Sequence, residues 1–199
     1  MFPTSAQDLA VFTLFNQDWR SPVLDVLLPL FSLRAPLFVL LCALLVWRCM
    51  LRGKGQTLYF VLMILAMGAS DLATNQVKHA VGRVRPLDSV ASTWYQESGQ
   101  WLQLPADFVQ EKERGNGFPS AHAANTAALA LMAALLWKPL RRGIWALPVI
   151  VGWSRLYLGK HFPTDILGGW ILGLVVASLC WLLWRSIAKG MGLRLRPEG

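Results

Sequence analysis

From residue 35 to residue 184 the chain runs through long apolar stretches broken by short clusters of Lys and Arg. A run of about 20 apolar residues can cross a bilayer as a helix, because a helix satisfies its own backbone polar groups in lipid. Five stretches meet or approach this length, at 35–50, 57–77, 119–137, 143–158 and 163–184. They predict an all-α, polytopic transmembrane helix bundle built as a single domain over residues 1–199. Residues 23–33 are apolar but contain Asp25 and Pro29 and are too short to cross alone. They predict an interfacial or half-inserted helix ahead of the first span. Within the first 20 residues, Leu9, Val11, Phe12, Leu14 and Phe15 form a candidate amphipathic stripe on the membrane surface, followed by a turn at 16–22. The segment 87–118 is polar, carries five of the eleven acidic residues and holds Trp94, Tyr95 and Trp101, residue types that favour the membrane interface. It reads as an extracytoplasmic loop.

Charge placement narrows the function classes. The net charge is +8, yet only 15% of residues are charged, and the basic ones cluster between apolar runs. That is the pattern of membrane topology rather than of a nucleic-acid surface, so nucleic acid is excluded as a partner. Together with Arg48 at the end of 35–50, the turn after it, the turn at 138–142 and the tail after 184 hold ten of the nineteen Lys and Arg. These regions share one side if all five spans cross, and that side is the cytoplasm. Cys42, Cys49 and Cys180 lie inside apolar runs without metal-like spacing and read as packing residues. The N-terminus lacks the basic start and short apolar core of a cleaved signal peptide.

With this topology, three clusters of polar residues fall at the outer face. The first is Lys78 to Arg85-Pro86. Seven residues make two helical turns, so both cations share a face if the helix continues to Pro86. Upstream on that face lie Asp71 and Asn75, with Asp71 inside a span, where a carboxylate must be paired; a structural, bracing role fits it. The second cluster is Pro119-Ser120-Ala121-His122, where Pro119 at the first helical position would put Ser120 and His122 in the first turn, beside unpaired backbone N–H groups. The third is Ser154-Arg155, His161 and Asp165, with Pro163 opening the last span. Each cluster alone also fits ordinary residues at a helix boundary. Together they hold an anion-binding set and two imidazoles. The three histidines, His79, His122 and His161, show no metal-ligand spacing, and no metal or other cofactor is expected.

The three clusters resemble the motifs of the type 2 phosphatidic acid phosphatase superfamily of membrane lipid phosphatases. Its KxxxxxxRP pattern matches Lys78 through Arg85-Pro86, its PSGH matches Pro119 to His122 with Ala121 in place of Gly, and its SRxxxxxHxxxD matches Ser154, Arg155, His161 and Asp165. The resemblance covers about residues 22–185; residues 1–21 and 87–118 carry no motif. It implies a metal-free phosphatase working through a phosphohistidine. By matching position, His161 is the nucleophile, Asp165 orients it, and His122 protonates the leaving group. Lys78, Arg85, Ser120 and Arg155 hold the phosphoryl oxygens. The implied partner is a membrane lipid phosphate or diphosphate, with undecaprenyl diphosphate favoured over phosphatidic acid, phosphatidylglycerol phosphate and lipid A 1-phosphate. The implied location is the cytoplasmic membrane, with the site toward the periplasm or exterior. A lipid phosphotransferase using the same intermediate and a non-catalytic lipid-binding protein are the alternatives.

Overall fold

The structure, a computed structural model, describes residues 4–33, 43, 46, 47, 49–51 and 56–191. The expected span at 35–50, the basic turn after it and the last basic residues of the tail fall largely outside these.

Helix α1 (Ala6–Thr13) starts at Ser5, whose hydroxyl accepts from the Asp8 N–H at 3.1 Å. It runs into a π-helical turn over Leu14–Asp18. Helix α2 (Pro22–Ser32) starts with Ser21 as cap and Pro22 at the first position, where the missing N–H costs nothing. Pro29 lies inside α2 and cannot donate to the carbonyl four residues back. That carbonyl, of Asp25, instead accepts from the Trp101 indole at 3.3 Å. Thus 16–22, expected as a plain turn, is partly π-helical, and Asn16 within it is fully buried. Of the expected surface stripe, Leu9, Val11 and Leu14 are exposed, but Phe12 is buried with its ring edge-on to Phe162 at 5.5 Å.

Helix α3 (Gln56–Val81) has 26 residues, and at about 1.5 Å per residue it exceeds the roughly 30 Å hydrocarbon core. It ends at Gly82, whose positive φ of 66° closes the helix with its N–H on the Lys78 carbonyl at 3.0 Å. The helix therefore stops before Arg85, which is extended, and Lys78 and Arg85 do not share a helical face. The polar segment that follows is not wholly loop. Strands β1 (Trp94–Glu97) and β2 (Gln100–Gln103) form an antiparallel hairpin, with Trp94 opposite Gln103. Its turn, Ser98-Gly99, has positive φ at both residues, the twist that matches paired strands. The all-α expectation thus needs this one correction. The hairpin is pinned to the N-terminal region by Asn16, which exchanges hydrogen bonds with the Trp94 backbone at 2.8 and 2.9 Å. Arg20 adds a second pin, its guanidinium 4.1–4.8 Å from the ring centres of Trp94, Trp101 and Tyr157.

Helix α4 (Ala121–Leu136) is the centre of the bundle and packs on both α3 and α6 (Pro163–Gly190). Its alanines keep it thin, and Gly169 and Gly173 of α6 let the two backbones meet. A Cβ at these glycines would lie 2.5 Å from the Ser120 carbonyl oxygen and 2.1 Å from that of Ala124. Small residues four apart are the usual device for close helix contact in membranes. Toward the other end, Phe60, Met63, Met132, Leu136 and Trp137 form the apolar core. Helix α5 (Ala146–Tyr157) joins α2 through Ser154, whose hydroxyl donates to the Leu28 carbonyl at 2.6 Å.

Among the described residues only α3 and α6 are long and apolar enough to cross a membrane. At 16 and 12 residues, α4 and α5 fall short of the expected spans, because 3-10 turns at Lys138–Leu140 and Gly143–Trp145 take up the residues between them. Leu65, Leu72, Ile171, Val175 and Leu183 on α3 and α6 face outward, as lipid-facing side chains do.

Candidate active site

The site is built where α3 ends, α4 and α6 begin, and α5 turns into α6. Gly159, with φ of 66°, ends α5, and the chain bends at Lys160 and reaches Pro163, at the start of α6, through an extended Phe162. His161 lies in that connection and is 2% exposed. Its Nδ1 is 2.8 Å from the carbonyl oxygen of Gly117. A carbonyl only accepts, so Nδ1 carries the proton and Nε2 keeps its lone pair. Gly117 is held in turn by its own N–H on the Arg83 carbonyl at 2.7 Å. The 115–117 strip lies so close to the 83–84 backbone that glycines are required: a Cβ at Gly115 would sit 2.8 Å from the Arg83 oxygen.

Burial pushes the His161 imidazolium well below the usual histidine range, and the positive charges of Arg155, Arg85 and Lys78 push it further; the Gly117 hydrogen bond opposes them only in part. His161 is therefore a neutral imidazole in a strongly positive setting. That three cations from two sequence-distant clusters act on one ring brings those clusters into one site. Lys160, next in sequence, is lowered by burial first and then by Arg155 and Arg85, so a fourth cation crowds the same place. Such crowding favours an anionic ligand.

The Pro119 cluster enters differently from expectation. Pro119 lies outside the helix, and Ser120 is the N-cap of α4, with its hydroxyl toward the Ala123 N–H at 3.5 Å. The Ser120 N–H donates to the Asp165 carbonyl at 2.9 Å, which fixes the start of α4 against the start of α6. His122 is then the second residue of α4. Arg155 occupies the last turn of α5 and is 8% exposed.

Asp165 is fully buried one turn from His161, but its oxygens are engaged elsewhere. Oδ1 accepts from Arg83 Nη1 and Oδ2 from the Phe162 N–H, each at 2.7 Å, while Oδ2 stands 3.6 Å from His161 Nδ1. The group that accepts from the imidazole is thus the Gly117 carbonyl, and Asp165 is a charge close behind it. Asp71 accepts from Asn125 of α4 at 3.1 Å and ties α3 to α4; Asn75 is exposed on α3.

Residue-type reasoning overlooked Gly117, Arg83, Asp8, Thr164 and Lys160. Arg83 occupies an unspecified position inside the first motif. Asp8 could have been found as the acid directly ahead of the apolar N-terminal stripe, since a carboxylate at such a face is costly unless it is paired.

A family model of the PAP2 superfamily matches residues 59–188. The chain belongs to this superfamily. The matched stretch starts in α3 and ends in α6, and so holds every site residue named above except Asp8. Among solved structures, the crystal structure of Aquifex aeolicus LpxE superposes with a TM-score of 0.70 at 21% identity, covering 92% of this chain and 99% of that one, which shows a shared fold. A lipid A 1-phosphatase of Rhizobium etli is 29% identical over 160 residues, 74% of this chain and 65% of that protein. An undecaprenyl-diphosphatase of Sulfolobus acidocaldarius is 32% identical over 108 residues, 51% of this chain and 44% of that protein. The chain thus spans less than two thirds of the length of either relative.

Proposed function

We propose that this protein is a membrane lipid phosphatase that needs no metal and works through a phosphohistidine on His161. The observation that carries the reading is the state of His161: a buried, neutral imidazole with Nδ1–H on Gly117 and a free Nε2, facing Arg155, Arg85 and Lys78. Nε2 attacks phosphorus, and the bond to the lipid oxygen breaks as His122 gives that oxygen a proton. Lys78, Arg85 and Arg155, with Ser120, hold the phosphoryl oxygens, so that charge stabilisation comes from fixed cations. The positive charge gained by the imidazole is balanced by the Asp165 carboxylate behind Nδ1. Water, activated by His122, then cleaves the P–N bond and releases phosphate. The site opens to the non-cytoplasmic side, with five spans enclosing it.

The substrate is a lipid diphosphate of the undecaprenyl diphosphate type. Lys160 supports this choice, because a fourth cation beside Arg155 and Arg85 suits a ligand with more charge than a monophosphate. An apolar groove of about 240 Å³ is lined by Phe15, Trp153, Leu156, Pro163, Ile166 and Trp170. Its walls include the residue after Arg155 and the second residue after His161, which suits a lipid chain whose headgroup reaches the site sideways.

The test is phosphate release by purified protein in EDTA from undecaprenyl diphosphate, phosphatidic acid, phosphatidylglycerol phosphate and lipid A, beside His161→Ala and His122→Ala. Release that is greatest from the diphosphate and abolished in both variants supports the reading. Transfer of phosphate to a second lipid without free phosphate makes the protein a phosphotransferase instead. Activity lost in EDTA and restored by Mg²⁺ overturns the metal-free chemistry.

A further inference from the structure

Asp8 belongs to the N-terminal helix, outside the matched family region, yet it is 3% exposed and reaches the site. Arg83 lies between two carboxylates. Its Nη2 donates to Asp8 Oδ2 at 2.6 Å and its Nη1 to Asp165 Oδ1 at 2.7 Å. Thr164 closes the network: its N–H donates to Asp8 Oδ1 at 2.9 Å, its hydroxyl to Asp8 Oδ2 at 2.5 Å, and Arg83 Nη1 lies 2.6 Å from that hydroxyl. The guanidinium stacks 4.5 Å above the ring of Phe162, the residue after His161. All three charged side chains are 2% exposed or less.

One guanidinium needs one carboxylate to be neutralised, and Asp165 supplies it. A second desolvated carboxylate is costly unless it is used. Asp8 has two uses here. It caps the unpaired first-turn N–H of Thr164 at the start of α6. It also holds one arm of Arg83, so that the other arm stays on Asp165. The main chain of the same Arg83 holds Gly117, whose carbonyl takes the His161 proton. Two branches therefore leave Arg83 and converge on His161, one through Asp165 and Phe162, the other through Gly117.

We propose that α1 is a positioning element of the active site: Asp8, acting through Arg83, fixes the orientation and the Nδ1–H tautomer of His161. Asp8 and Arg83 touch no reacting atom. With Asp8 in place, Asp165 keeps both oxygens occupied and stays off Nδ1, so the imidazole presents Nε2 in one direction. This rests on His161 being the nucleophile.

The test is Asp8→Asn in the full-length protein in detergent. Asparagine can still accept from the Thr164 N–H, so the cap survives while the negative charge that pairs with Arg83 is removed. The expected result is a fall in kcat of about tenfold to a hundredfold, the range found when the outer partner of a metal-bound histidine is lost, with KM within about twofold. With isotope-labelled histidine, the His161 imidazole nitrogens should move from a single Nδ1–H tautomer toward an average of both. Thr164→Val, which removes only the hydroxyl, should shift both readouts the same way by less, and serves if Asp8→Asn does not fold. A folded variant of either kind that keeps the wild-type nitrogen shifts overturns the proposal, whatever its activity. If the wild-type His161 is not the Nδ1–H tautomer, or if His161→Ala turns over normally, it is the nucleophile assignment that fails, and the two failures are told apart.

Discussion

Gly117→Ala tests the claim that a backbone carbonyl, rather than a carboxylate, orients His161. The backbone at Gly117 is not left-handed, so a side chain is not barred by conformation. The obstacle is contact. A Cβ there would lie 3.0 Å from the Arg83 carbonyl oxygen and 3.2 Å from that of Val84. Both are backbone atoms, and neither can swing aside as a flexible side chain would. The 115–117 strip has to withdraw by a few tenths of an ångström. The 2.7 Å bond from the Gly117 N–H to Arg83 then lengthens, and the carbonyl 2.8 Å from His161 Nδ1 moves with it. Overpacking of this kind costs about 1–3 kcal/mol of stability. Misplacing a reacting group by about 1 Å costs roughly a hundredfold in rate, so the smaller shift here should lower kcat by about tenfold. KM should change little, because Lys78, Arg85 and Arg155 are not disturbed. The assay is kcat and KM of purified Gly117→Ala in detergent against Gly143→Ala, where a Cβ meets nothing within 4 Å and no effect is expected. A folded Gly117→Ala protein with wild-type kcat would show that the Gly117 carbonyl does not orient His161.

Two further outcomes are expected. His161 resists protonation in the folded protein, by burial first and then by Arg155, Arg85 and Lys78, whereas in the unfolded chain it protonates near its ordinary value of about 6.5. As pH falls below that value only the unfolded state takes up this proton, so stability declines with falling pH, by up to about 1.4 kcal/mol per pH unit, and is unaffected above it. Unfolding midpoints of wild type and His161→Ala from pH 7.5 to 5 read this difference, and parallel curves would contradict it. Lys160→Ala should lower kcat/KM for a lipid diphosphate about tenfold and for a monophosphate less, since loss of one charge-assisted contact costs about 1.5–3 kcal/mol when fully made. Equal losses on both substrates would remove the diphosphate role of Lys160.

The parts legible in the sequence were those where the chemistry demands a residue type or the bilayer demands a length. The runs at 57–77 and 163–184 are helices α3 and α6, and Pro163 opens α6 as its position suggested. Lys78, Arg85, Arg155 and His161 were candidates because cations suit a phosphate and an imidazole can attack one, and the three cations do all act on the His161 ring. What stayed hidden depends on backbone conformation. Gly82 ends α3 with a positive φ, so the seven-residue spacing of Lys78 and Arg85 had no helical meaning. Pro119 reads as a first helical residue but stands before the Ser120 cap. The Gly117 carbonyl is invisible to side-chain reasoning, because any residue has a carbonyl; only the need for closeness to Arg83 marks the glycine. The hairpin escaped because its four-residue strands alternate weakly, and it gains its anchorage from Asn16 and Arg20, nearly 80 residues away in sequence.

The most direct measurement is capture of the intermediate. Purified protein is mixed in EDTA with a lipid diphosphate labelled in its terminal phosphate, quenched at alkaline pH and digested. The expected result is acid-labile, base-stable label on the peptide that contains His161, and none in His161→Ala. Steady phosphate release with no label on any peptide, or label on a residue other than His161, would contradict it.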